Sequence, residues 1–195
     1  MSIYRGTKFG FIQSKVYDQM GIALEGCLAN ASDINLCDAI SVGETNGIGV
    51  GLGVTIKSLA GAKKAGINDQ KIMLPAGSEA NTDFGGIVVR TESGHTDASG
   101  RNYMANEEMA SVLRATRVGG RIFVKAQKAL TAGGSLYWII ANATSHGLEI
   151  GGFSGSAITG SVGGSQKTDT VDISAKAKVL NSAAAGELAL IEILG

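Results

Sequence analysis

Few side chains in this sequence combine the residue types and the spacing that catalysis requires. Gly152–Ser156 has the sequence Gly-Phe-Ser-Gly-Ser, which lacks the final glycine of the Gly-x-Ser-x-Gly nucleophile elbow. His95 and His146 lie in polar stretches and are predicted to face solvent in loops. Glu107 and Glu108 are adjacent, so their side chains diverge on a strand or a helix and cannot form the facing pair of acid–base catalysis. We therefore expect no catalytic residues, and a hydrolase with a site assembled from distant residues is the third functional alternative.

The sequence also predicts no metal and no cofactor. Cys27 and Cys37 could join the two histidines in a nominal zinc set, but their spacing matches no structural zinc module. Two cysteines are too few for a disulfide scaffold, so both are expected to be free thiols. Gly49, Gly51 and Gly53 alternate within an apolar run, whereas a dinucleotide fingerprint needs Gly-x-Gly-x-x-Gly at the start of a helix. Dinucleotide binding is therefore not expected.

Composition indicates a weakly charged globular protein with many loops. Charged residues make up 17% of the chain and glycine accounts for 29 of its 195 residues. Seventeen basic residues balance 17 acidic ones, so no overall field attracts nucleic acid or an anionic membrane, and neither partner is expected. The sequence has no apolar run long enough for a spanning helix and no secretory signal at its start, which predicts folding in a cytoplasm.

The clearest secondary-structure signal lies in residues 170–194. Val171–Val179 alternates between apolar and polar residues, Asn181–Gly186 has turn composition, and a second apolar run follows, which together predict an antiparallel hairpin. Ala189, Ile191 and Ile193 are expected to face the core. The outward leucines at positions 188, 190 and 194 require a second covering layer, which is either the N-terminal arm or a neighbouring copy.

Further strands are predicted upstream of this hairpin. Alternating glycines in residues 47–54 indicate a strand with one bare face, which another backbone or side chain can approach closely. Strands are also expected within residues 84–91 and 119–126. Leu136–Ala141 is apolar on both faces, so this strand is either central in a sheet or covered by a partner. These strand patterns together predict an all-β domain.

Two segments give conflicting signals. Apolar residues between Val16 and Leu28 fall at helical spacing, but two glycines interrupt them, so residues 1–35 are either helical or extended. In residues 106–117, Asn106 could cap a helix whose first turn holds two glutamates, so local rules favour helix there.

The first 17 residues are rich in large apolar side chains, namely Ile3, Tyr4, Phe9, Phe11 and Tyr17. One interpretation is that these side chains pack on the protein's own barrel. The other is that they form an arm on a partner, because chain ends are mobile unless docked and aromatic anchors dominate interface energetics.

A series of short motifs resembles the structural cement (head decoration) proteins of tailed bacteriophages. The likeness extends over residues 84–194, and residues 47–54 show a weaker similarity. In chain order the motifs are Phe84–Val89, Tyr103, Ser111–Arg114, Gly120–Val124, Gly133 and Gly186–Ala189.

The resemblance implies both a fold and a function. The fold would be an antiparallel β-barrel or jelly-roll-like sandwich, with an arm at residues 1–35, a single domain at 36–195, and a strand at Ser111–Arg114. The function would be structural rather than enzymatic: binding the outer surface of a bacteriophage head, bridging neighbouring major capsid protein subunits and stabilising the shell. The protein would be a homodimer or homotrimer on the virion, made in the host bacterial cytoplasm. The principal alternative is a carbohydrate-binding or tail-associated β module.

On this interpretation, large apolar side chains contact the capsid or sister copies. The residues predicted for this interface are Ile3, Tyr4, Phe9, Phe11, Tyr17, Phe123, Tyr137 and Trp138.

Overall fold

The structure is a computed structural model, and it describes residues 23–58, 70–91, 95–97, 100–142, 147–162 and 165–195. Within these ranges the chain forms strands and two short 3-10 helices, Ala31–Leu36 and Asn81–Asp83, so the all-β expectation is confirmed. In the described part of the chain, neither helix has the length and apolar character to cross a bilayer.

The strands, in chain order, are β1 Cys37–Val42, β2 Ile48–Gly49, β3 Gly53–Ser58, β4 Gln70–Met73, β5 Gly86–Val88, β6 His95–Thr96, β7 Asn102–Met104, β8 Met109–Arg114, β9 Arg121–Lys125, β10 Tyr137–Ile139, β11 Phe153–Ser154, β12 Thr159–Val162, β13 Ser165–Thr168, β14 Thr170–Asp172, β15 Ala177–Val179 and β16 Leu188–Ile193.

Five strands close into a barrel in the order β1-β4-β3-β5-β8. All its pairings are antiparallel except that of β1 with β4, which are parallel. Ile40, Val54, Ile72 and Val112 fill the interior and are fully buried. Closure leaves these five strands without a free edge, which removes the usual route to uncontrolled strand pairing.

A second core lies between the barrel and the remaining sheets. Three-stranded sheets form in the orders β11-β10-β14, β15-β16-β9 and β2-β7-β6, and β12 pairs with β13 as a hairpin. The aromatic centre of this core is Phe84, whose ring contacts Trp138 edge-on at a centroid distance of 5.3 Å and Phe153 at 6.4 Å. Ile122 and Ile191 extend the cluster across the sheet that contains β9.

The predicted bare glycine face is confirmed. A Cβ atom on Gly53 would lie 2.7 Å from Nε1 of Trp138, and that indole N–H donates to the Gly53 carbonyl oxygen (3.2 Å). A Cβ atom on Gly49 would lie 2.9 Å from Cζ of Arg101. The run is nevertheless two strands, because Gly51 adopts a left-handed φ of +78° between β2 and β3.

The predicted hairpin at residues 170–194 is confirmed for the pair β15 and β16, but the prediction of one continuous first strand is wrong. β15 and β16 pair antiparallel, and the inward side of β16 is buried as expected. Val171–Val179, however, is not one strand, since β14 and β15 belong to different sheets. Oδ1 of Asp172 accepts hydrogen bonds from the backbone N–H (2.9 Å) and hydroxyl (2.6 Å) of Ser174, which bends the chain into a turn. Ala175 is consequently exposed instead of facing the core.

Both open alternatives that fall within the described ranges are resolved by long-range pairing. Met109–Arg114 is strand β8, paired with both β1 and β5, so two ladders override the local helical signal. Leu136–Ala141 contains the central strand β10, which is covered on both faces inside the chain. Residues 1–22 lie outside the described residues.

Four turns of the described chain are closed by a carboxylate, a pattern that the sequence analysis did not predict. In each, the acidic fourth residue accepts a hydrogen bond from the N–H of an alanine three positions earlier, as in Glu79 with Ala76 (2.7 Å). The other pairs are Asp83 with Ala80 (2.8 Å), Glu108 with Ala105 (2.9 Å) and Glu187 with Ala184 (2.8 Å). Partial burial opposes ionisation of Glu79, but the N–H groups of residues 76–78 outweigh it and lower its pKa.

We expect Glu79→Ala to reduce the free energy of unfolding by about 1 kcal/mol at pH 7, as the loss of a capping side chain does. A carboxylate with a lowered folded-state pKa stabilises the fold above its unfolded pKa of about 4.3, and this contribution is lost as the pH falls through the folded value. The difference from wild type should therefore shrink at about pH 3, measured by urea denaturation. The exposed Lys128→Ala variant is the control and should change little at either pH. Equal losses from Glu79→Ala at both pH values would contradict this role.

We expect Gly53→Ala to destabilise the protein by about 1–3 kcal/mol, because the added methyl group would overlap the indole ring. Trp138 is the single tryptophan, so its fluorescence reports the environment of this indole, and its emission should shift. Gly133→Ala is the control for packing: a Cβ atom there meets nothing within 4 Å, although its left-handed φ of +69° adds a backbone cost that Gly53 does not share. Its emission should match wild type, and the same emission in both variants would argue against close packing at Gly53.

Candidate docking surface

The first described residues form the arm junction, residues 23–29, which lies along the free edge of β9. It thereby extends the sheet β15-β16-β9 by one further segment. The last residues of the predicted arm are thus joined to the domain. The division between arm and domain at residue 35 stays a prediction. Three backbone hydrogen bonds join the two: Gly26 N–H to the Phe123 oxygen (2.7 Å), Phe123 N–H to the Cys27 oxygen (2.9 Å), and Ala29 N–H to the Arg121 oxygen (2.9 Å).

A tight turn at Leu24–Cys27 sets the direction of the chain at this junction. The N–H of Cys27 donates to the carbonyl oxygen of Leu24 (3.0 Å), and Gly26 has the left-handed φ of +80° that such a turn requires. A Cβ atom on Gly26 would lie 2.9 Å from Cβ of Val50, so only glycine fits here without displacing Val50. The turn reverses the direction of the chain between Leu24 and Cys27.

An ion chain fixes the turn to the rest of the domain. Nη2 of Arg101 contacts Oε1 of Glu25 (3.1 Å), and Nη1 contacts the carboxylate of Glu149. Burial raises the pKa of Glu25, and the positive charges of Arg101 and then Lys125 oppose that effect. The turn is therefore held by side chains from three separate parts of the sequence.

The outward surface of the neighbouring sheet carries an apolar row, here called the β9 face and defined by Cys27, Phe123, Leu188 and Leu190. Leu190 and Phe123 are direct cross-strand partners. Leu28 pairs with Ile122 and packs on the core, so strand alternation places Cys27 outward beside Phe123. All four defining residues are half-buried.

Charged groups border this row at both ends, with Lys125 opposite Leu188 at one end and the group around Glu192 at the other. The carboxylate of Glu192 accepts from Nε of Arg121 (2.9 Å) and from Nζ of Lys178 (2.5 Å), and these two hydrogen bonds lower its pKa. An apolar centre with a polar border is the usual composition of a protein–protein contact surface.

The structure places the predicted interface residues in three different situations. Phe123 lies on the β9 face, and Tyr137 is half-buried on β10. Trp138 is fully buried and belongs to the core with Phe84 and Gly53, so its predicted place at an interface is corrected. Trp138 is buried because β10 is the central strand of its sheet, between β11 and β14, and its indole packs against the barrel strand β3. Ile3, Tyr4, Phe9, Phe11 and Tyr17 lie outside the described residues.

Further apolar side chains are exposed outside the β9 face, and the sequence pattern did not predict the exposure of Val118 or Leu24. Val118 is 68% exposed in the connection between β8 and β9, and Leu194, which was predicted to face outward, is 36% exposed. The N–H of Gly119 donates to the Ile193 oxygen (2.9 Å), so these two side chains lie at the same end of the molecule. Leu24, within the arm junction, is 53% exposed.

The groups that suggested chemistry have structural partners. The hydroxyl of Ser154 is buried and donates to the carbonyl oxygen of Ser156 (2.7 Å). Nε2 of His95 lies 2.8 Å from Oε1 of Glu108 on an exposed surface. In the part of the chain that the structure describes, no three His, Cys, Asp or Glu side chains approach closely enough to hold a metal ion.

Comparison with known proteins identifies one family. The family model described as structural cement protein (E217 gp24/Pam3 gp6) matches residues 12–194. A search of curated proteins found no match. The matched range contains the barrel, the arm junction and the β9 face, and it extends beyond the motifs that suggested the resemblance. The chain therefore belongs to the family of phage structural cement proteins.

Proposed function

We propose that this protein binds the outer surface of a bacteriophage head, bridges neighbouring major capsid protein subunits and stabilises the shell. The observation that carries the proposal is the match of the cement family model to residues 12–194. The role of such a protein is structural, and its place is the virion.

The physical properties of the chain are compatible with this role. A closed barrel with two packed cores gives a rigid body whose strand edges are largely paired within the chain. The formal net charge is zero, so retention on the shell rests on surface complementarity rather than on long-range attraction. Many copies on one head add their individually modest contacts through multivalent binding.

The contacts are proposed to come from the arm and from half-buried aromatic residues of the domain. Tyr137 on β10 and the arm residues Ile3, Tyr4, Phe9 and Phe11 are the anchors that would enter pockets on capsid subunits or sister copies of a homodimer or homotrimer. Large aromatic residues contribute most of the binding energy at such surfaces because they bury much area at little cost in side-chain entropy.

We expect the variant that combines Tyr4→Ala, Phe9→Ala and Phe11→Ala to bind purified heads about a hundredfold or more weakly, because each aromatic anchor contributes about 1–2 kcal/mol. The measurement is the number of copies retained per head across a range of protein concentrations. Deletion of residues 1–12 should give the same result.

The matched control combines Arg5→Ala and Lys8→Ala, which removes the charges of the same segment and keeps its aromatic residues. This control should retain normal occupancy. Unchanged occupancy of the aromatic variant, with normal emission from Trp138 as evidence of folding, would refute the role of the arm.

A further inference from the structure

The β9 face is an apolar row that the described residues leave partly exposed. Its central pair, Phe123 and Leu190, is half-buried, and the hydrogen-bonded edge of β9 beside it is already occupied by the arm junction. Charged side chains, among them Lys125 beside Leu188, share this side of the sheet, so a covering segment would bury the apolar row and leave the charges at its rim in solvent.

The arm junction brings the start of the described chain to the edge of this face. The turn at Leu24–Cys27 reverses the chain beside Cys27, which itself belongs to the β9 face. The turn cannot easily open, because Gly26 is bonded on both sides: its N–H donates to Phe123 and its oxygen accepts from Arg90 (2.7 Å each). The Glu25–Arg101 contact fixes the same turn from the barrel side.

The residues before the turn have the length and composition to cover the face. Tyr17 is seven positions before Leu24, a distance of at most about 25 Å in an extended chain. The face is four strands wide, about 14 Å across. Val16, Tyr17, Met20 and Ile22 supply large apolar side chains within that reach.

We propose that residues 13–22 dock on the β9 face of their own chain and cover Cys27, Phe123 and Leu190. Binding within one chain is favoured because only one residue separates Ile22 from the turn, which gives a high effective concentration. Residues 1–12 then extend beyond the covered face. The inference concerns the isolated protein and goes beyond the proposed binding to a phage head, so either can fail without the other.

Cys27 provides a direct test, because its thiol lies on the face that would be covered. The experiment measures the rate at which an aromatic disulfide reagent modifies Cys27 in the full chain carrying Cys37→Ser. Removing Cys37 leaves Cys27 as the single thiol. Burial, followed by the nearby carboxylates of Asp33 and Asp38, raises the pKa of Cys37 to about 11. Even if it were kept, Cys37 would therefore react only slowly.

Adding Val16→Asp with Met20→Asp should raise the modification rate of Cys27 at least about tenfold, since acidic side chains cannot dock on an apolar surface. The matched control places the same change outside the docking residues, as Ile3→Asp with Phe9→Asp, and should leave the rate unchanged. Trp138 emission verifies folding of each variant. Equal rates in all three proteins would overturn the proposal.

The concentration dependence identifies the occupant. Protection within one chain does not depend on protein concentration, so a constant rate over a hundredfold dilution is the expected result. Protection that is lost on dilution would assign the cover to a second copy and would overturn docking within the chain.

Discussion

The contact between Trp138 and Gly53 joins the two halves of the molecule. The indole is completely buried, and its N–H donates to a carbonyl oxygen of the barrel strand β3, which satisfies the one polar group that burial would otherwise leave unpaired. Only a residue without a side chain leaves room for this approach. Because β10 is thereby fixed against the barrel, the core beneath β9 is fixed as well, and the outward side of β9 becomes a defined surface.

The same strand connects the fold to its role. β9 packs Ile122 and Val124 inward, pairs with β16 on one edge, and holds the arm junction on the other. A cement protein acts through area and geometry, so the useful property of its domain is that it holds the arm junction and the β9 face in a constant orientation. The turn at Gly26 and the Arg101 ion chain provide that orientation at the point where the arm leaves the domain.

Sequence patterns predicted those elements whose information is local. Alternation identified β9 and the inward side of β16, and the spaced glycines identified the bare face that receives Trp138. The prediction of a single strand at Val171–Val179 was wrong because the Asp172–Ser174 turn has the same alternating pattern as a strand. The strand β8 was obscured by helix-favouring residues, since its two partners are distant in sequence.

The candidate surface was harder to predict than the fold. An apolar stretch such as Leu136–Ala141 has the same composition whether its cover is another layer of the chain or a separate protein, which is why Trp138 was placed at an interface. Pairing of Cys27 with Phe123 brings together residues far apart in sequence, and no local pattern indicates it.

The central claim is that this rigid domain cements a phage head, and a cryo-EM map of the native particle tests it most directly. The account predicts density for the barrel on the outer surface, at the contacts between neighbouring major capsid protein subunits, with the start of the chain continuing onto the shell. Density confined to the tail, or heads of normal composition that lack the protein, would contradict it.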